Sequence, residues 1–546
     1  MKKQRKKERK AVGIICFTLI LTIMLCSLNA IPSTEINPTI SKSSIPHHLI
    51  VPDDYRTIQK AINNAAMNAI IIVKRGEYKE NINVNKIVEI KGSGSSGTII
   101  VGDGSSDVVT ISSDGVDLGG FTIKNSGNTH AGIRINSQYN IITNCIIEKN
   151  GYGIILDASS GNFITNNIIQ DNNRSGFWFY RSHANEVNGN TLENNNNGML
   201  VNFSCLGNNV SGNIFSENQK TGLQLSETSR SNTFIANKIN DNNDFGIEAI
   251  GSAENNNFHH NDLVQNGQNA VDTSSNNWDD TEGEGNYWGD YTGTDTDGDG
   301  VGDSPYYIPG KQNTQLSFEG NADNYPLMNS NLPPNLFIEV DNNQQFYANT
   351  PISFQISFET LNEKLSKQLK LNEENIICQI NWDDQTGLEE IDIDENGVDT
   401  SHIWNEDGSY QIRVRAYKTI LGHRSYGEWY SITIELGSDE GNGMFLFPSL
   451  KLEQKNENNE LGYQTIITGL GIFSPNILIK NTHWIQYDED YLETEQYIIT
   501  PDTSFLFFWL NKDIDIYCFP DATSCDIAST LFINGIEMES ASIQIR

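Results

Sequence analysis

A short pattern of alternating apolar residues recurs every 21 to 24 residues through the middle of the chain. Each repeat opens with a glycine, and the first and third residues after that glycine are apolar. Apolar residues two positions apart share one face of a β-strand. The repeat therefore predicts short strands that stack as the rungs of a solenoid. The six glycines are Gly132, Gly153, Gly176, Gly198, Gly222 and Gly246.

A second pattern, Asn-x-apolar-x-x-Asn-x-apolar, lies between successive glycines. Turn residues separate its apolar positions, which predicts two further short strands in each repeat. Asparagines at the same place in every rung would hydrogen-bond along the stack as amide ladders. Because parallel crossovers are overwhelmingly right-handed, we predict a right-handed parallel β-helix. The first asparagine falls at Asn140, Asn162, Asn185, Asn208, Asn232 and Asn256, and the second at Asn167, Asn190, Asn213, Asn237 and Asn261, with Cys145 in the first repeat.

The segments around the repeats complete the predicted domain organisation. From Tyr55 to Met67 apolar residues recur at helical spacing, which predicts an N-terminal helix that caps the open end of the β-helix. The β-helix is predicted to span residues 50–330 and to end at a Pro-containing linker at 331–335. Segments of alternating apolar and polar residues predict a β-sandwich over 336–436. Residues 444–546 are predicted to form a further β-rich domain. The whole chain is therefore predicted to be all-β.

The N-terminus has the features of a targeting segment. Residues 1–30 contain a basic run, an apolar stretch and small residues that end at Ala30, which is the order of a secretory signal peptide. An uncleaved anchor is the alternative, because the apolar stretch approaches membrane-spanning length. Residues 31–49 are a predicted linker. We expect a secreted or cell-surface protein, whose contact with a membrane is limited to such an anchor.

The charge balance narrows the range of partners. The chain has 70 acidic and 36 basic residues, a net charge of -34. A surface this acidic repels nucleic acid, and it favours divalent cations. Cys518 and Cys525 bracket a short loop, and a disulfide there fits an oxidising compartment.

Several motifs resemble known families. Residues 54–62 (DYRTIQKAI), 75–81 (RGEYKEN) and 119–127 (GGFTIKNSG) resemble the opening of pectate-lyase-like β-helices. Residues 286–291 (NYWGDY), 306–310 (YYIPG) and 323–327 (DNYPL) resemble the close of NosD-type β-helix proteins. Residues 380–384 (INWDD) and 401–414 (SHIWNEDGSYQIRV) resemble a polycystic-kidney-disease (PKD) type domain, which implies a spacing or adhesive role.

An acidic loop follows the β-helix repeats. Its carboxylates occupy positions 1, 3, 5 and 9, with glycine at position 6, as in the first part of a calcium-binding loop. Position 12, usually a bidentate glutamate, is Tyr306, so we expect a compact loop rather than an EF-hand, with Asp290 or backbone carbonyls completing the site. The sequence predicts structural Ca²⁺ here, and a solvated acidic turn is the alternative. The predicted ligands are Asp295, Asp297, Asp299 and Asp303.

The residue two places after each glycine is expected to point outward. Three successive rungs have Ile155, Trp178 and Leu200 there, and Tyr180 lies on the same rung as Trp178. Aromatic faces suit sugar rings, and exposed apolar surfaces tend to be contact sites. We therefore predict that these four residues bind a glycan. The alternative is that another domain or a loop covers them.

The resemblance to polysaccharide enzymes also implies lyase, hydrolase or epimerase chemistry. Inverting hydrolysis needs two carboxylates about 6.5 to 9.5 Å apart. The doublet Asp279-Asp280 lies in a turn-rich segment and has no evident partner acid, which favours a solvated turn. No catalytic residue is assigned from the sequence.

The NosD resemblance implies copper, but the sequence argues against it. His259 and His260 are consecutive, and consecutive strand residues point to opposite faces, where they cannot easily chelate one ion. There is also no cluster of the soft ligands that copper selects.

The preferred interpretation is a calcium-stabilised β-helix that binds extracellular or envelope polysaccharide. A second interpretation is an extracellular polysaccharide lyase, hydrolase or epimerase. A third interpretation is a structural envelope or adhesion protein.

Overall fold

The computed structural model describes residues 48–280, 282–310, 321–340, 346–359 and 376–437, together with the backbone of strands between residues 444 and 545. The predicted signal segment and the pairing of Cys518 with Cys525 lie outside these residues. In the described part of the chain, no helix combines the length and the apolar character needed to cross a membrane.

The described residues are almost entirely β-structure, as predicted. The strands of the N-terminal part are short and follow one another through tight turns. They are β1 (His48–Val51), β2 (Ala69–Val73), β3 (Gly76–Lys79), β4 (Ile82–Val84), β5 (Val88–Gly92), β6 (Thr98–Val101), β7 (Val109–Ile111), β8 (Asp117–Gly119), β9 (Thr122–Lys124), β10 (Ala131–Ile135), β11 (Ile141–Thr143), β12 (Ile146–Glu148), β13 (Tyr152–Asp157), β14 (Phe163–Thr165), β15 (Ile168–Gln170), β16 (Ser175–Tyr180), β17 (Glu186–Asn188), β18 (Thr191–Glu193), β19 (Asn197–Asn202), β20 (Asn209–Ser211), β21 (Ile214–Ser216), β22 (Thr221–Leu225), β23 (Thr233–Ile235), β24 (Lys238–Asn240), β25 (Phe245–Ala249), β26 (Asn257–His259), β27 (Asp262–Val264), β28 (Gln268–Asp272), β29 (Tyr287–Trp288), β30 (Tyr306–Tyr307) and β31 (Ala322–Asp323).

These strands form a parallel β-helix with three sheets. Within the described residues, the first sheet has the order β1-β2-β5-β8-β11-β14-β17-β20-β23-β26. The second has the order β3-β6-β9-β12-β15-β18-β21-β24-β27-β29, and the third β4-β7-β10-β13-β16-β19-β22-β25-β28. Each strand pairs in parallel with its counterpart one turn along, for example Phe177 with Met199. β30 and β31 form a small antiparallel pair.

The core of the β-helix is made by the alternating apolar residues of the repeat. Phe177, Phe179, Leu223 and Leu225 are all fully buried and belong to one continuous cluster. Helix α1 (Ile58–Asn64) lies at the N-terminal end of the stack and buries Ile58 against it. The predicted cap is therefore confirmed, but it is shorter than the predicted segment. Thr57 accepts a hydrogen bond from the Lys60 amide and so fixes the start of the helix.

A second group of strands follows the β-helix and forms a three-stranded and a six-stranded sheet. We call residues 336–437 the two-sheet domain, because both sheets contribute to one buried cluster. The strands are β32 (Leu336–Val340), β33 (Phe346–Tyr347), β34 (Ile352–Phe358), β35 (Ile377–Asn381), β36 (Leu388–Asp392), β37 (Val398–His402), β38 (Gly408–Ile420), β39 (His423–Tyr426) and β40 (Tyr430–Gly437). The smaller sheet has the order β32-β34-β37, and the larger has β33-β40-β38-β35-β36 with β39 paired to β38.

The two-sheet domain docks on the β-helix through polar side chains. The Arg415 guanidinium donates to the Gly189 carbonyl at 2.9 Å and to Asn166 Oδ1 at 2.6 Å. Nearer the N-terminus, Arg75 lies over the ring of Tyr410, with 4.3 Å from its guanidinium carbon to the ring centroid. These contacts lie along the turns between the first and second sheets of the β-helix.

The C-terminal strands are longer and antiparallel. Their bounds are β41 (Met444–Glu457), β42 (Glu460–Ile472), β43 (Ile477–Gln486), β44 (Tyr491–Ile499), β45 (Phe507–Tyr517), β46 (Ser524–Ile533) and β47 (Ile536–Ile545). Among the described residues they form two sheets, one with the order β41-β42-β45 and one with the order β44-β43-β46-β47.

Candidate functional site

The structure places the predicted glycan-binding residues side by side on the third sheet. Ile155 on β13 pairs with Trp178 on β16, which in turn pairs with Leu200 on β19. Tyr180 lies two residues after Trp178 on the same strand, so both side chains project from the same face. Trp178, Tyr180 and Leu200 are half-buried. Ile155 is only 1% exposed, although it lies outside the core cluster.

Trp178 and Tyr180 belong to a continuous group of rings that we call the aromatic surface: Tyr152, Trp178, Tyr180 and Phe203. Tyr152 stacks on Trp178, with 5.1 Å between ring centroids and 26° between ring planes. Trp178 meets Tyr180 edge-on at 5.7 Å, and Tyr180 meets Phe203 at 5.0 Å. Phe203 is 38% exposed. The surface spans three successive rungs of the β-helix.

Cationic and amide groups border the aromatic surface. The Arg174 guanidinium lies 5.4 Å from the ring centroid of Tyr152, and that of Arg181 lies 5.0 Å from Tyr180. The indole N–H of Trp178 donates to Asn202 Oδ1 at 2.6 Å, which holds the ring in place. The site therefore combines apolar ring faces with fixed hydrogen-bonding groups.

Sequence reasoning missed Tyr152 and Phe203. Tyr152 directly precedes a repeat glycine, and its contact with Trp178 runs diagonally across two rungs rather than between equivalent positions. Phe203 follows the end of β19 with a left-handed backbone, φ 58°. The sequence signal that could have identified both residues was the presence of aromatic residues on the rungs next to Trp178 and Tyr180.

The acidic loop brings together three of its four predicted ligands. One carboxylate oxygen from each of Asp295, Asp297 and Asp299 lies within 4.8 Å of the others. Asp303 lies outside this group and binds the loop instead, because its Oδ2 accepts from the Thr296 amide at 3.0 Å and from the Thr294 hydroxyl at 3.1 Å. Hydrogen bonds from the Thr296 hydroxyl are the main cause of the lowered pKa of Asp303.

Asp290, considered as a completing ligand, has other partners. Its Oδ1 accepts from Asn269 Nδ2 at 2.8 Å, and its Oδ2 accepts from the Tyr306 hydroxyl at 3.1 Å. The ring of Tyr306 stacks on Trp288 with 4.0 Å between centroids. Asp290 therefore joins Asn269 to Tyr306 and stabilises the end of the β-helix.

The histidine pair does not have the geometry expected from the sequence. His259 is the last residue of β26, and His260 has a left-handed backbone with φ 57°. The chain leaves the strand between them, so the two rings turn toward each other and their Nδ1 atoms lie 3.0 Å apart. The argument that consecutive strand residues cannot chelate one ion is therefore wrong here, because the alternation of side chains ends at His259.

A carboxylate completes this group. One donor atom from each of His259, His260 and Asp280 lies within 4.8 Å of the other two. His260 Nε2 lies 2.9 Å from Glu284 Oε2. The pKa of His259 is lowered, first by burial and then by the neighbouring charge of His260. His260 is 2% exposed, whereas His259 and Asp280 are half-buried.

The neighbouring Asp279 has a different role. Its Oδ2 accepts from the Asn324 amide at 3.0 Å and from Asn324 Nδ2 at 2.8 Å. Asp280 Oδ1 accepts three backbone N–H groups of the following turn. The two aspartates of the doublet therefore have separate roles, since Asp279 binds Asn324 and Asp280 binds the turn that follows it.

Comparisons with known proteins bear on the β-helix. No curated protein matches the chain. Among solved structures, the A-module of the mannuronan C-5 epimerase AlgE4 from Azotobacter vinelandii is 18% identical over 43% of this chain and 79% of that chain, with a TM-score of 0.32. Tailspike protein 2 of an Escherichia coli O157:H7 bacteriophage is 11% identical over 90% of this chain and 74% of its own, with a TM-score of 0.31. Similarities of this size carry no argument about activity.

A family model gives the more specific match. Residues 63–293, less than half of the chain, match the model described as periplasmic copper-binding protein (NosD). This supports the NosD-type resemblance and the parallel β-helix. It also counts against the expectation that copper is unlikely, which the geometry of His259 and His260 had already weakened.

Proposed function

We propose that this protein binds a polysaccharide across the aromatic surface of the third sheet. The observation that carries the proposal is the unbroken contact of four aromatic rings over three rungs, from Tyr152 to Phe203. Aromatic faces stack on the apolar faces of sugar rings, and a row of rings along a β-helix suits an extended chain. Arg174, Arg181 and Asn202 lie at the edges, where sugar hydroxyl or carboxylate groups would find hydrogen-bond partners.

The test is binding of a polysaccharide panel, with neutral and uronic-acid polymers, by the full chain. Trp178→Ala is expected to weaken binding by about tenfold or more, because it removes the central ring and its contacts on both sides. Phe163→Ala is the matched control, since Phe163 is 47% exposed on the first sheet. Equal affinity of Trp178→Ala and the wild type would remove the site.

The same panel separates the alternative functions. Each polymer is incubated with the protein and its chain length is measured. Shortening of a polymer indicates a lyase or hydrolase, a changed uronic acid without shortening indicates an epimerase, and retention without change indicates a binder. If the protein neither retains nor alters any polymer, the structural envelope role takes the place of this proposal.

Calcium binding by Asp295, Asp297 and Asp299 is part of the proposal. Carboxylate oxygens are the ligands that Ca²⁺ prefers, and the three lie within 4.8 Å of one another. Calorimetric titration of Ca²⁺ should show uptake by the wild type and a clear loss in Asp297→Asn. Asp303→Asn should retain uptake, because that carboxylate is held by Thr294 and Thr296. Absence of uptake by the wild type would refute this part.

Location outside the membrane also belongs to the proposal. It is supported by the secretory features of residues 1–30, and the matching family is described as periplasmic. Fractionation of cells that express the full chain, with mass spectrometry of the mature N-terminus, tests export and cleavage near Ala30. Retention of the intact segment in the membrane fraction would indicate the anchored form.

A further inference from the structure

We infer that His259, His260 and Asp280 form a binding site for one divalent transition-metal ion. The site lies near the C-terminal end of the β-helix, at the turn after β26 and the loop after Trp278. It is separate from the aromatic surface, which occupies earlier rungs of the third sheet.

The backbone explains why the two imidazoles converge. β26 ends at His259, and the left-handed conformation of His260 redirects the chain before β27 begins. The two rings meet at 77° with 5.2 Å between centroids. The two Nδ1 atoms therefore lie close enough together to bind the same ion.

The separation of these nitrogens fits a shared ion. Two nitrogens that are each about 2.0 Å from one metal lie about 2.8 to 3.3 Å apart, for bond angles between those of a square and a tetrahedron. The Nδ1 atoms of His259 and His260 lie 3.0 Å apart. A neutral histidine pair holds one hydrogen between these atoms. On metal binding that hydrogen leaves the Nδ1 of His259, and Nε2 of the same ring carries one instead.

Surrounding groups orient the remaining ligands. Glu284 Oε2 lies 2.9 Å from His260 Nε2, so the hydrogen of that ring is held on Nε2 and Nδ1 is left with its lone pair. Asp280 Oδ1 accepts the backbone N–H groups of Glu282, Gly283 and Glu284 at 2.8, 2.7 and 2.9 Å. This fixes the carboxylate and leaves its Oδ2 for an ion.

The ligand set indicates which ions bind. Two imidazoles and one carboxylate suit Zn²⁺, Ni²⁺ and Cu²⁺, whereas Ca²⁺ prefers oxygen ligands alone. Among divalent first-row ions, a site of nitrogen and oxygen ligands binds Cu²⁺ most tightly. We therefore expect Cu²⁺ to bind more tightly than Zn²⁺. The description of the matching family as copper-binding agrees with this order.

The experiment uses the full chain without a histidine tag. Calorimetry with CuCl₂, and separately with ZnCl₂, should show one ion per chain at this site. Electron paramagnetic resonance of the Cu²⁺ form should show coupling to two imidazole nitrogens. His259→Ala, His260→Asn and Asp280→Asn should each weaken binding at least about tenfold and change the spectrum.

The variants and controls are chosen so that misfolding cannot mimic the result. Asparagine tolerates the left-handed backbone at position 260, and at position 280 it retains an oxygen for the three backbone N–H groups. Asp279→Asn and His130→Ala should leave binding within about twofold of the wild type, since Asp279 binds Asn324 and His130 lies beside Asp107. The inference fails if the wild type takes up neither ion, or if the three ligand variants bind like the two controls.

Discussion

At the scale of single residues, buried asparagine side chains hold the turns of the β-helix together. Asn213 Nδ2 donates to the Val187 carbonyl at 2.9 Å and to Asn237 Oδ1 at 3.1 Å. Its Oδ1 accepts the Asn190 amide N–H at 2.9 Å and Asn190 Nδ2 at 3.0 Å. Each ladder thus satisfies polar groups that would otherwise be buried without partners.

A third ladder lies in the turns before the repeat glycines, and the sequence did not reveal it. Five of its members precede a repeat glycine by three or four residues, and several neighbouring residues are also asparagine, as at 194–197. The sequence therefore does not indicate which asparagine of such a run is buried. The members are Asn150, Asn172, Asn195, Asn218, Asn242 and Asn266.

Replacement of one ladder residue should destabilise the β-helix strongly. Asn213→Ala removes five hydrogen bonds of that side chain, among them the one that satisfies the buried backbone N–H of Asn190. We expect a loss of at least about 2 kcal/mol in the free energy of unfolding, measured by urea denaturation. Asn173→Ala, at an exposed turn position, should cost no more than about 0.5 kcal/mol. Similar losses in the two variants would contradict the role of the ladder.

At the scale of elements, the repeat glycines mark where neighbouring rungs come closest. A Cβ atom at Gly198 would lie 2.4 Å from the Gly222 carbonyl oxygen and 3.0 Å from the ring of Phe215. At Gly153 the same atom would lie 2.5 Å from the Gly176 carbonyl oxygen. The period that predicts the solenoid therefore arises from close backbone packing at the start of each third-sheet strand.

Gly198→Ala should consequently be costly. The added methyl group meets backbone of the next rung, which cannot move without breaking the pairing of β19 with β22. We expect a loss of about 1 to 3 kcal/mol in stability, seen as a lower thermal midpoint. Gly310→Ala is the control, because a Cβ there would lie 3.8 Å from the Asp272 carbonyl oxygen, at ordinary contact distance. An unchanged midpoint for Gly198→Ala would show that the rungs can separate.

One row of the second sheet contains two glutamates with opposite pKa shifts. Glu148, Gln170 and Glu193 pair in register on β12, β15 and β18. Burial raises the pKa of Glu193, and the charges of Glu217 and Glu428 add to this. Burial alone would raise the pKa of Glu148, but hydrogen bonds from Gln170 and Lys149 outweigh it and lower that pKa.

These shifts predict opposite pH dependence for two matched variants. With a raised pKa, the folded state holds a proton on Glu193 that the unfolded chain has released, so this residue destabilises the fold as pH rises above about 4.5. Glu193→Gln should therefore raise the thermal midpoint at pH 7 and change it little near pH 4. Glu148→Gln should lower the midpoint at pH 7, because the stabilisation by that carboxylate is present above its ordinary pKa and is lost as pH falls. Shifts of the same sign at pH 7 would refute the assignment.

At the scale of the whole molecule, apolar periodicity predicts the strands but not how the domains meet. The β-helix, its N-terminal helix and the main strands of the two-sheet domain follow from local patterns. β36 and β37 do not follow from such patterns, because their sequences, LEEID and VDTSH, are largely polar. The docking contacts join residues more than 200 positions apart through polar groups, and the turn at His260 depends on a backbone angle. No local pattern encodes either of these.

Arg415 is the residue on which the docking of the two-sheet domain should depend most. It is fully buried and lies between the rings of Tyr426 and Trp429, with 3.8 and 4.2 Å from its guanidinium carbon to the ring centroids. It also bonds to Asn166 and Gly189 of the β-helix. Lysine cannot supply these forked contacts, because its ammonium group is a single point charge.

Arg415→Lys should therefore loosen the domain while leaving the β-helix folded. Loss of the forked bonds leaves buried acceptors unpaired, at a cost of about 1 to 3 kcal/mol each. We expect faster proteolysis at the linker 331–335 and a larger radius of gyration in solution scattering, with little change in far-ultraviolet circular dichroism. Arg424→Lys is the matched control, because Arg424 forms a half-exposed ion pair with Glu390, and such pairs contribute about 1 kcal/mol or less. If both variants resist proteolysis like the wild type, the apolar contacts around Arg415 hold the domain, and its guanidinium is not required for docking.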